Sequence, residues 1–319
     1  MFVGLFSRTR AREAIPKYWA FILLLFLIAC NAIFTRNFMS LGTVWNILLQ
    51  SFPVIMISMG MTLVIATGGI DISVGATMAL SSIIFAKLLI QIGTPFGFAF
   101  AAAMLAALAV GLFNGIMISK FNIQPIIVTL ILCIAGRGIA QQVNNGSVLS
   151  FYGNIYSEMG VYRLFDRIPI QALMILATVC LMLFIVKRTI FGMQVQSLGE
   201  NRAAATLVGI NPTLTLIAVY SICALFAGAA AIMETLRLCS ADPNNIGQAI
   251  ELDCIAAVAV GGTAMAGGKA KIVGTLIGAM IMQIITTMVN MNNIQYEYSL
   301  VIKSLIIIMA LYYQNRKTK

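Results

Sequence analysis

The chain has 319 residues, of which 61% are hydrophobic and only 9% are charged. A soluble domain carries about 25% charged residues, so this composition excludes a soluble protein and predicts an all-α fold, a polytopic bundle of transmembrane helices. The net charge of +10 would suit a protein that binds nucleic acid, but the basic residues are spread over several loops and both tails. That distribution is typical of charges that orient a membrane protein, so no nucleic-acid partner is expected.

Apolar runs of membrane-spanning length follow one another along the chain. They predict about ten spans, at 18–34, 44–66, 74–92, 96–118, 125–141, 170–186, 213–234, 252–264, 272–289 and 298–313. The transmembrane part then covers 18–313, with polar tails at 1–17 and 314–319. The first run follows a basic segment that has no convincing cleavage site, so we interpret it as a retained anchor.

Loop charges predict the orientation of the spans. Placing the N-terminus in the cytoplasm puts most basic residues on that side and leaves four outside, which are Arg36, Arg163, Arg167 and Arg237. This asymmetry favours two cytoplasmic termini in the bacterial inner membrane. The polar segment 187–212 is then cytoplasmic as well.

The segment 187–212 is the longest polar interruption in the second half of the chain. Asn201 can cap a short helix, Gly209 can end it in a left-handed conformation, and Pro212 prevents its continuation. One face of that helix would be small or apolar, formed by Ala203, Ala204, Leu207 and Val208. An exposed face of this kind indicates a docking partner.

Two glycine-rich segments, one in each half of the chain, have a similar spacing of glycines. The first holds Gly68, Gly69 and Gly75, and the second holds Gly261, Gly262 and Gly268. Glycine-broken segments at matched places indicate the pathway of a transporter. Glycines also simply allow helices to pack closely, and both readings stay open.

Few polar residues interrupt the spans. Asp71 is interpreted either as a pathway group or as a cap of the third span. Arg137 could donate hydrogen bonds to a polyhydroxylated solute or extend to the membrane surface, and Lys87 and Lys303 are expected to extend there. Amides suited to hydroxyl groups or to bonds between helices are Asn114, Gln124, Gln141, Asn244 and Asn245.

Catalytic and metal chemistry is not expected. The sequence has no histidine, which excludes imidazole-based triads and histidine-ligated zinc. Gly268 and the lysine after it fail the phosphate-loop pattern, because Thr263 stands where the first glycine is needed. The six cysteines include no Cys-x-x-Cys pair and are interpreted as core residues, although Cys239 and Cys254 could pair.

Four stretches carry a resemblance to a known family. They are GMTLVIATGGIDISVGA (60–76), IQPIIVTLILCIAGRGIAQ (123–141), LGENRAAATLVGI (198–210) and ADPNNIGQAIELDCIAAVAVGGT (241–263). The chain resembles the membrane permease of bacterial monosaccharide ABC importers of the ribose, xylose and galactose type, and most closely the galactofuranose type.

The resemblance implies a non-catalytic transport subunit surrounded by membrane lipid. Its implied partners are an extracytoplasmic sugar-binding protein, a second permease chain in a homodimer or heterodimer, and an ATPase with two nucleotide-binding cassettes. That ATPase, and not this chain, would bind ATP and magnesium. The residues implied to couple to it are Gly199, Glu200, Asn201, Ala203, Ala204 and Gly209.

Other functions were weighed against this one. A nucleoside importer permease of the same family fits the residues equally well. An ion-coupled secondary transporter is disfavoured, because the spans hold few of the acidic groups that such a carrier needs. A membrane-embedded enzyme is disfavoured by the missing histidine and by the lack of paired carboxylates within a span.

Overall fold

The apolar runs fold into helices in a computed structural model that describes residues 8–152, 155–164 and 168–315. In chain order the helices are α1 Arg8–Phe34, α2 Leu41–Ala66, α3 Val74–Ala86, α4 Phe96–Lys120, α5 Pro125–Val143, α6 Ile155–Met159, α7 Ile170–Arg188, α8 Ile190–Glu200, α9 Arg202–Leu207, α10 Pro212–Leu238, α11 Ile250–Val260, α12 Ile272–Met291 and α13 Tyr296–Asn315. A π-helical segment, Lys87–Ile92, extends α3. Parts of the two predicted tails, 1–7 and 316–319, lie outside the described residues.

Two short antiparallel strand pairs join the non-helical segments. β1 Leu149–Ser150 pairs with β4 Ser240–Ala241, and β2 Arg163–Leu164 pairs with β3 Ile168–Pro169. The β1–β4 pair links the segment after α5 to the segment after α10. These two segments are therefore connected to each other.

Seven of the described helices are long and apolar enough to cross a membrane, namely α2, α3 with its extension, α4, α5, α7, α10 and α12. The apolar part of α1, Trp19–Phe34, is shorter. A helical membrane protein is thus confirmed, whereas the count of ten spans remains a prediction.

The predicted eighth span, 252–264, is wrong as a full crossing. The corresponding helix α11 has 11 residues, which gives a length of roughly 16 Å, about half the hydrocarbon thickness. It ends at Val260 because the chain turns at Gly262, whose φ is +87°. Periodicity could not show this, because the sequence stays apolar beyond the end of the helix.

Helix α2 forms the centre of the bundle. All of its residues from Ser51 to Ala66 are buried, and it packs against α7, α10, α11 and α12. A helix that is apolar on every side requires such surroundings. Its start is set by Ser40, whose hydroxyl accepts a hydrogen bond from the backbone N–H of Thr43 at 3.2 Å.

Helices α4 and α10 pack closely through small residues. A Cβ built on Gly111 would lie 2.7 Å from Ser221 Cα, and one on Gly115 would lie 2.5 Å from Ile217 Cα. The buried residues of α4 recur every fourth position, at Ala99, Ala103, Ala107, Gly111 and Gly115. Small residues at this spacing are typical of helix pairs in membranes.

Helices α3 and α11 begin next to each other. A Cβ built on Gly75, near the start of α3, would overlap the carbonyl oxygen of Gly247 and lie 2.7 Å from Glu251 Oε2, near the start of α11. Each helix is entered through a non-helical segment, 67–73 before α3 and 242–249 before α11. Two helix N-termini therefore meet inside the bundle, an arrangement found in transporters with discontinuous helices.

The segment 187–212 is more regular than the sequence suggests. The predicted helix at its C-terminal end is confirmed as α9, with Asn201 as its N-cap. The residues before it also form a helix, α8, which buries Gly192, Val195 and Leu198. The expectation of a polar loop containing one short helix is therefore wrong.

Candidate functional site

Three glycine-containing segments meet at one point, which we call the glycine junction and define as Ala66, Gly68, Gly199, Gly267 and Gly268. The backbone N–H of Gly268 donates a hydrogen bond to the carbonyl oxygen of Ala66 at 2.8 Å. A Cβ built on Gly199 would overlap both of those groups. The end of α8, the end of α2 and the turn after α11 are thus in direct backbone contact.

The turn after α11 completes the junction. A Cβ built on Gly267 would lie 2.7 Å from the carbonyl oxygen of Gly199 and 3.1 Å from the backbone nitrogen of Gly68. Gly267 and Gly268 have φ angles of +98° and +109°, a region that other residues rarely adopt. Close approach and backbone conformation therefore both require glycine at Gly267, and the junction brings Gly68 and Gly268 of the two glycine-rich segments together.

Helix α9 projects from the junction with an uncovered apolar face. The Asn201 side-chain oxygen accepts a hydrogen bond from the backbone N–H of Ala204 at 3.0 Å, which starts the helix. Leu207 and Val208 are 88% and 77% exposed, and Ala203 is exposed as well. This face is therefore free to contact another molecule.

The ends of the α9 segment are anchored differently. Glu200 precedes α9 and is exposed, and its Cγ lies 3.5 Å from the position of a Cβ built on Gly268. Gly209 ends the segment with a φ of +87° and has open space around it. The six predicted coupling residues therefore lie along one continuous element that starts at the glycine junction.

Arg137 and Gln141 hold the segment that leads into α11. The Arg137 guanidinium donates hydrogen bonds to three backbone carbonyls, at 3.3 Å for Pro243, 3.5 Å for Asn244 and 2.6 Å for Ile246. The Gln141 side chain donates to the Asn244 side chain at 3.0 Å. We call this set, Arg137, Gln141 and residues 243–246, the outer latch.

The outer latch is closed further by a hydrogen bond to the segment after α5 and by one next to the loop itself. The side chain of Asn244 donates to the carbonyl oxygen of Gly146 at 2.8 Å, and that of Asn245 donates to Asp242 Oδ2 at 2.7 Å. Desolvation raises the pKa of Asp242, but the hydrogen bonds from Asn245 and Asn244 outweigh it and leave the pKa below its ordinary value. The loop is thus held by bonds that water or a ligand could replace.

Asp71 belongs to a buried network at the start of α3. Its Oδ1 accepts hydrogen bonds from the backbone N–H of Ser73 at 2.9 Å and from the Ser73 hydroxyl at 2.6 Å. The Asn114 side chain in turn donates to that hydroxyl at 2.9 Å. These contacts agree with Asp71 as an organiser of the helix start, and they bring Asp71 and Asn114 together.

Gln124 lies near the glycine junction. It is exposed, precedes α5, and lines a cavity of about 240 Å³ together with Gly68, Gly69 and Tyr220. The seven predicted pathway residues therefore form two groups. One group, Arg137, Gln141, Asn244 and Asn245, lies at the outer latch, and the other, Asp71, Asn114 and Gln124, surrounds the first glycine-rich segment.

Comparison with known sequences places the chain in a family. Residues 43–311 match the family described as "Branched-chain amino acid transport system / permease component". The chain belongs to this permease family. The predicted resemblance to importer permeases is confirmed, and no enzyme family is indicated.

Relatives resemble the permease over most of its length. The ribose import permease protein RbsC of Escherichia coli K12 is 36% identical over 96% of this chain and 97% of its own. The galactofuranose transporter permease protein YtfT of the same strain is 34% identical over 86% and 80%. The D-allose transport system permease protein AlsC, also of that strain, is 30% identical over 92% and 90%. No solved structure matches the permease.

Sequence reasoning missed one charged pair in the permease. Lys303 on α13 is 4% exposed, and its ammonium group lies 2.8 Å from both carboxylate oxygens of Asp253 on α11. The expectation that Lys303 extends to the membrane surface is therefore wrong. Opposite charges on two helices were the available signal, but nothing in the sequence paired them. The other lysine that was expected at the membrane surface, Lys87, donates a hydrogen bond to the carbonyl oxygen of Val143.

The expectation that the cysteines are core residues holds for Cys223 and Cys254, which are buried, and is wrong for Cys180, which is exposed. Cys239 and Cys254 are both free thiols. Cys254 is buried, with its Sγ 3.7 Å from the carbonyl oxygen of Val54. A disulfide between them is not formed in this structure.

Proposed function

We propose that this permease forms the membrane pathway of an ATP-driven importer for a monosaccharide and receives its energy through α8 and α9. The observation that carries the proposal is the glycine junction. There the end of α8 touches Ala66 at the end of α2 and Gly267 and Gly268 in the second glycine-rich segment by backbone contact. A displacement of α8 would then move the end of α2 and the turn after α11, because no flexible side chain lies between them.

The uncovered face of α9 is the proposed docking site for a separate ATPase. Leu207 and Val208 are among the most exposed large apolar residues of the described chain, yet α9 is only six residues long. A short polar-flanked helix of this kind gains little from lipid. It gains stability from a groove on a partner that covers its apolar side. ATP and magnesium are expected to bind to that partner.

The buried charges of the described spans support an external energy source. Lys303 is paired with Asp253, and Asp71 is held by Ser73. A carrier driven by an ion gradient needs ionisable groups that can exchange protons or sodium along the pathway. The observed groups instead hold helices together.

The proposed orientation is supported by the basic residues at the junction end of the bundle. That end carries Lys120, Lys187, Arg188, Arg202, Lys269 and Lys271. The positive-inside bias favours placing this end in the cytoplasm, which would make the glycine junction cytoplasmic. The outer latch would then face the opposite side, where an extracytoplasmic binding protein delivers the solute.

Exposed helix surfaces leave room for a second permease chain. The outward faces of α4 and α5 carry exposed apolar side chains such as Leu105, Ile131 and Ile134. These surfaces suit both lipid and another copy of the bundle. We propose a dimer with the pathway between the two chains, as the resemblance implies.

The substrate class is inferred from the relatives. The substrates in their names are ribose, galactofuranose and allose, all monosaccharides. A neutral sugar needs hydrogen-bonding amides and not a charged counter-ion site, and the outer latch offers Gln141, Asn244 and Asn245. A nucleoside is the alternative substrate that an uptake assay must include.

The test is uptake into proteoliposomes that contain the permease, its ATPase and its binding protein. We expect accumulation of one monosaccharide that requires ATP and stops when the ATPase is omitted. Uptake by the permease alone, driven by a proton or sodium gradient, would overturn the proposal. Uptake of nucleosides in place of sugars would change only the substrate class.

A further inference from the structure

A second cavity lies where α1, α7, α12 and the turn after α11 come together. Its volume is about 430 Å³. It opens beside the ends of three apolar helices, at Trp19 of α1, Lys187 of α7 and Ile272 of α12. This places it at the level where the membrane interior gives way to the lipid headgroups. None of the seven polar residues predicted for the pathway lines it, although Gly261 and Gly262 of the second glycine-rich segment do.

The cavity carries two basic groups at its polar end. Among the described residues that line it, the charged ones are Lys187 and Lys271, and both are lysines. Lys271 is held against the turn, because its backbone N–H donates to the Thr263 hydroxyl at 3.1 Å. Its ammonium nitrogen lies 3.2 Å from the position of a Cβ built on Gly262. Two positive groups thus border a single recess.

The remaining walls of the cavity are apolar. They include Phe21, Val273 and Ile277, and the first two are 49% and 50% exposed. The aromatic ring of Trp19 stands where the apolar part of α1 begins, a position that tryptophan favours at membrane interfaces. A ligand that fills this cavity must therefore be anionic at one end and apolar along its length.

We propose that this cavity binds one anionic phospholipid. Its phosphate would contact Lys187 and Lys271, and an acyl chain would lie along Phe21, Val273 and Ile277. Basic pockets between membrane helices are suited to such headgroups. The assignment of the lipid to the cytoplasmic leaflet rests on the proposed orientation, but the binding itself does not.

The bound lipid would act next to the glycine junction. Gly262 and Lys271 belong to the chain segment that also contains Gly267 and Gly268. A lipid that bridges α7, α12 and this segment would therefore restrain the turn that contacts α8. We expect ATP-driven uptake to be faster in membranes that supply the anionic lipid than in purely zwitterionic membranes.

The direct test is lipid retention by the purified permease alone, measured by native mass spectrometry after exposure to equal amounts of phosphatidylglycerol and phosphatidylcholine. We expect preferential retention of phosphatidylglycerol. The variants Lys187→Gln and Lys271→Gln should each weaken it about fivefold, and the pair about thirtyfold, as expected for one surface-lipid contact per lysine. Size-exclusion chromatography checks that each variant remains folded.

Two neighbours serve as matched controls. Arg188→Gln and Lys269→Gln remove the same charge one and two residues away, at exposed positions outside the cavity lining. Both should retain phosphatidylglycerol normally. Ile277→Trp fills the cavity but keeps both lysines, and it should no longer retain phosphatidylglycerol preferentially.

Three results would overturn the proposal. The first is equal retention in the wild type and the double lysine variant, and the second is an equal loss in the controls. The third is displacement of the lipid by millimolar inorganic phosphate, which would show a site for free phosphate. Since these assays need neither sugar nor ATP, their failure is distinct from failure of the transport proposal.

Discussion

The segments before and after α11 are held by different kinds of contact. Before it, the outer latch uses side chains, with Arg137 and Gln141 bonded to the loop 243–246, in addition to the close approach of Gly75 to the carbonyl oxygen of Gly247. In the turn after it, the glycine junction uses backbone contact, with Gly199 packed against Ala66 and Gly268. Side-chain bonds near solvent can be exchanged for bonds to water or a ligand, whereas a backbone contact without intervening side chains transmits displacement directly. The difference suggests that one end opens while the other is driven.

The largest effect is expected at the junction. Gly199→Val should destabilise the permease by about 3 kcal/mol, because its side chain overlaps backbone groups that cannot move aside. Thermal unfolding followed by fluorescence measures this loss. Gly138→Ala is the control, since its Cβ meets no atom within 4 Å and alanine favours the helix. A Gly199→Val protein as stable as the control would contradict the backbone contact.

The next largest effect is expected on the docking face. Ala204→Arg should weaken binding of the ATPase about thirtyfold, because an unpaired charge is expensive inside an apolar interface. The permease itself should remain folded, since Ala204 is exposed. Co-purification with the ATPase measures the effect. Thr206→Arg adds the same charge on a different side of α9 and should weaken binding less. Equal binding by both variants would exclude this face as the contact.

A smaller effect is expected at the outer latch. Arg137→Gln should lower the free energy of unfolding by about 2 kcal/mol, because the carbonyls of residues 243–246 lose a common hydrogen-bond donor. Uptake should fall about tenfold, with ATPase binding unchanged. Arg163→Gln, at an exposed position, should leave both unchanged. If Arg137→Gln abolished ATPase binding instead, the outer latch would not act separately from the glycine junction, and the contrast between them would be wrong.

The smallest effect is expected from Asp242. Its pKa is lowered in the folded protein, so its carboxylate stabilises the loop above the unfolded pKa of about 3.9 and loses this effect as pH falls through the folded pKa. Asp242→Asn should therefore lower stability slightly at pH 7, and its difference from the wild type should be smaller at pH 3. Unfolding of both proteins at the two pH values measures this. A larger difference at pH 3 would reverse the assigned sign.

Local rules were sufficient for the elements that sequence reasoning placed well. The caps of α9 depend on Asn201 and Gly209, whose effects reach only a few residues. The apolar runs and the small-residue stripe of α4 likewise report on one helix at a time. Family membership followed from residues that could be compared directly. These features need no knowledge of the third dimension.

Contacts between distant segments were beyond such rules. The glycine-rich segments suggested two equal readings, and only the packing of Gly199 against Ala66 and Gly268 shows that the two segments meet. The pair Lys303–Asp253 joins two helices whose partners no periodicity identifies. In both cases the deciding contact spans tens of residues. The short length of α11 was hidden for a local reason, because apolar residues continue through Gly261 into Ala264.

The most direct test of the central claim is the number of sugar molecules imported per ATP hydrolysed by the assembled transporter carrying Gly199→Ala. This smaller substitution keeps the docking face of α9 intact but still places a Cβ against Ala66 and Gly268. We expect the ATPase to bind and hydrolyse ATP while import per ATP falls well below that of the wild type. An unchanged ratio, with normal uptake, would show that energy does not pass through the glycine junction.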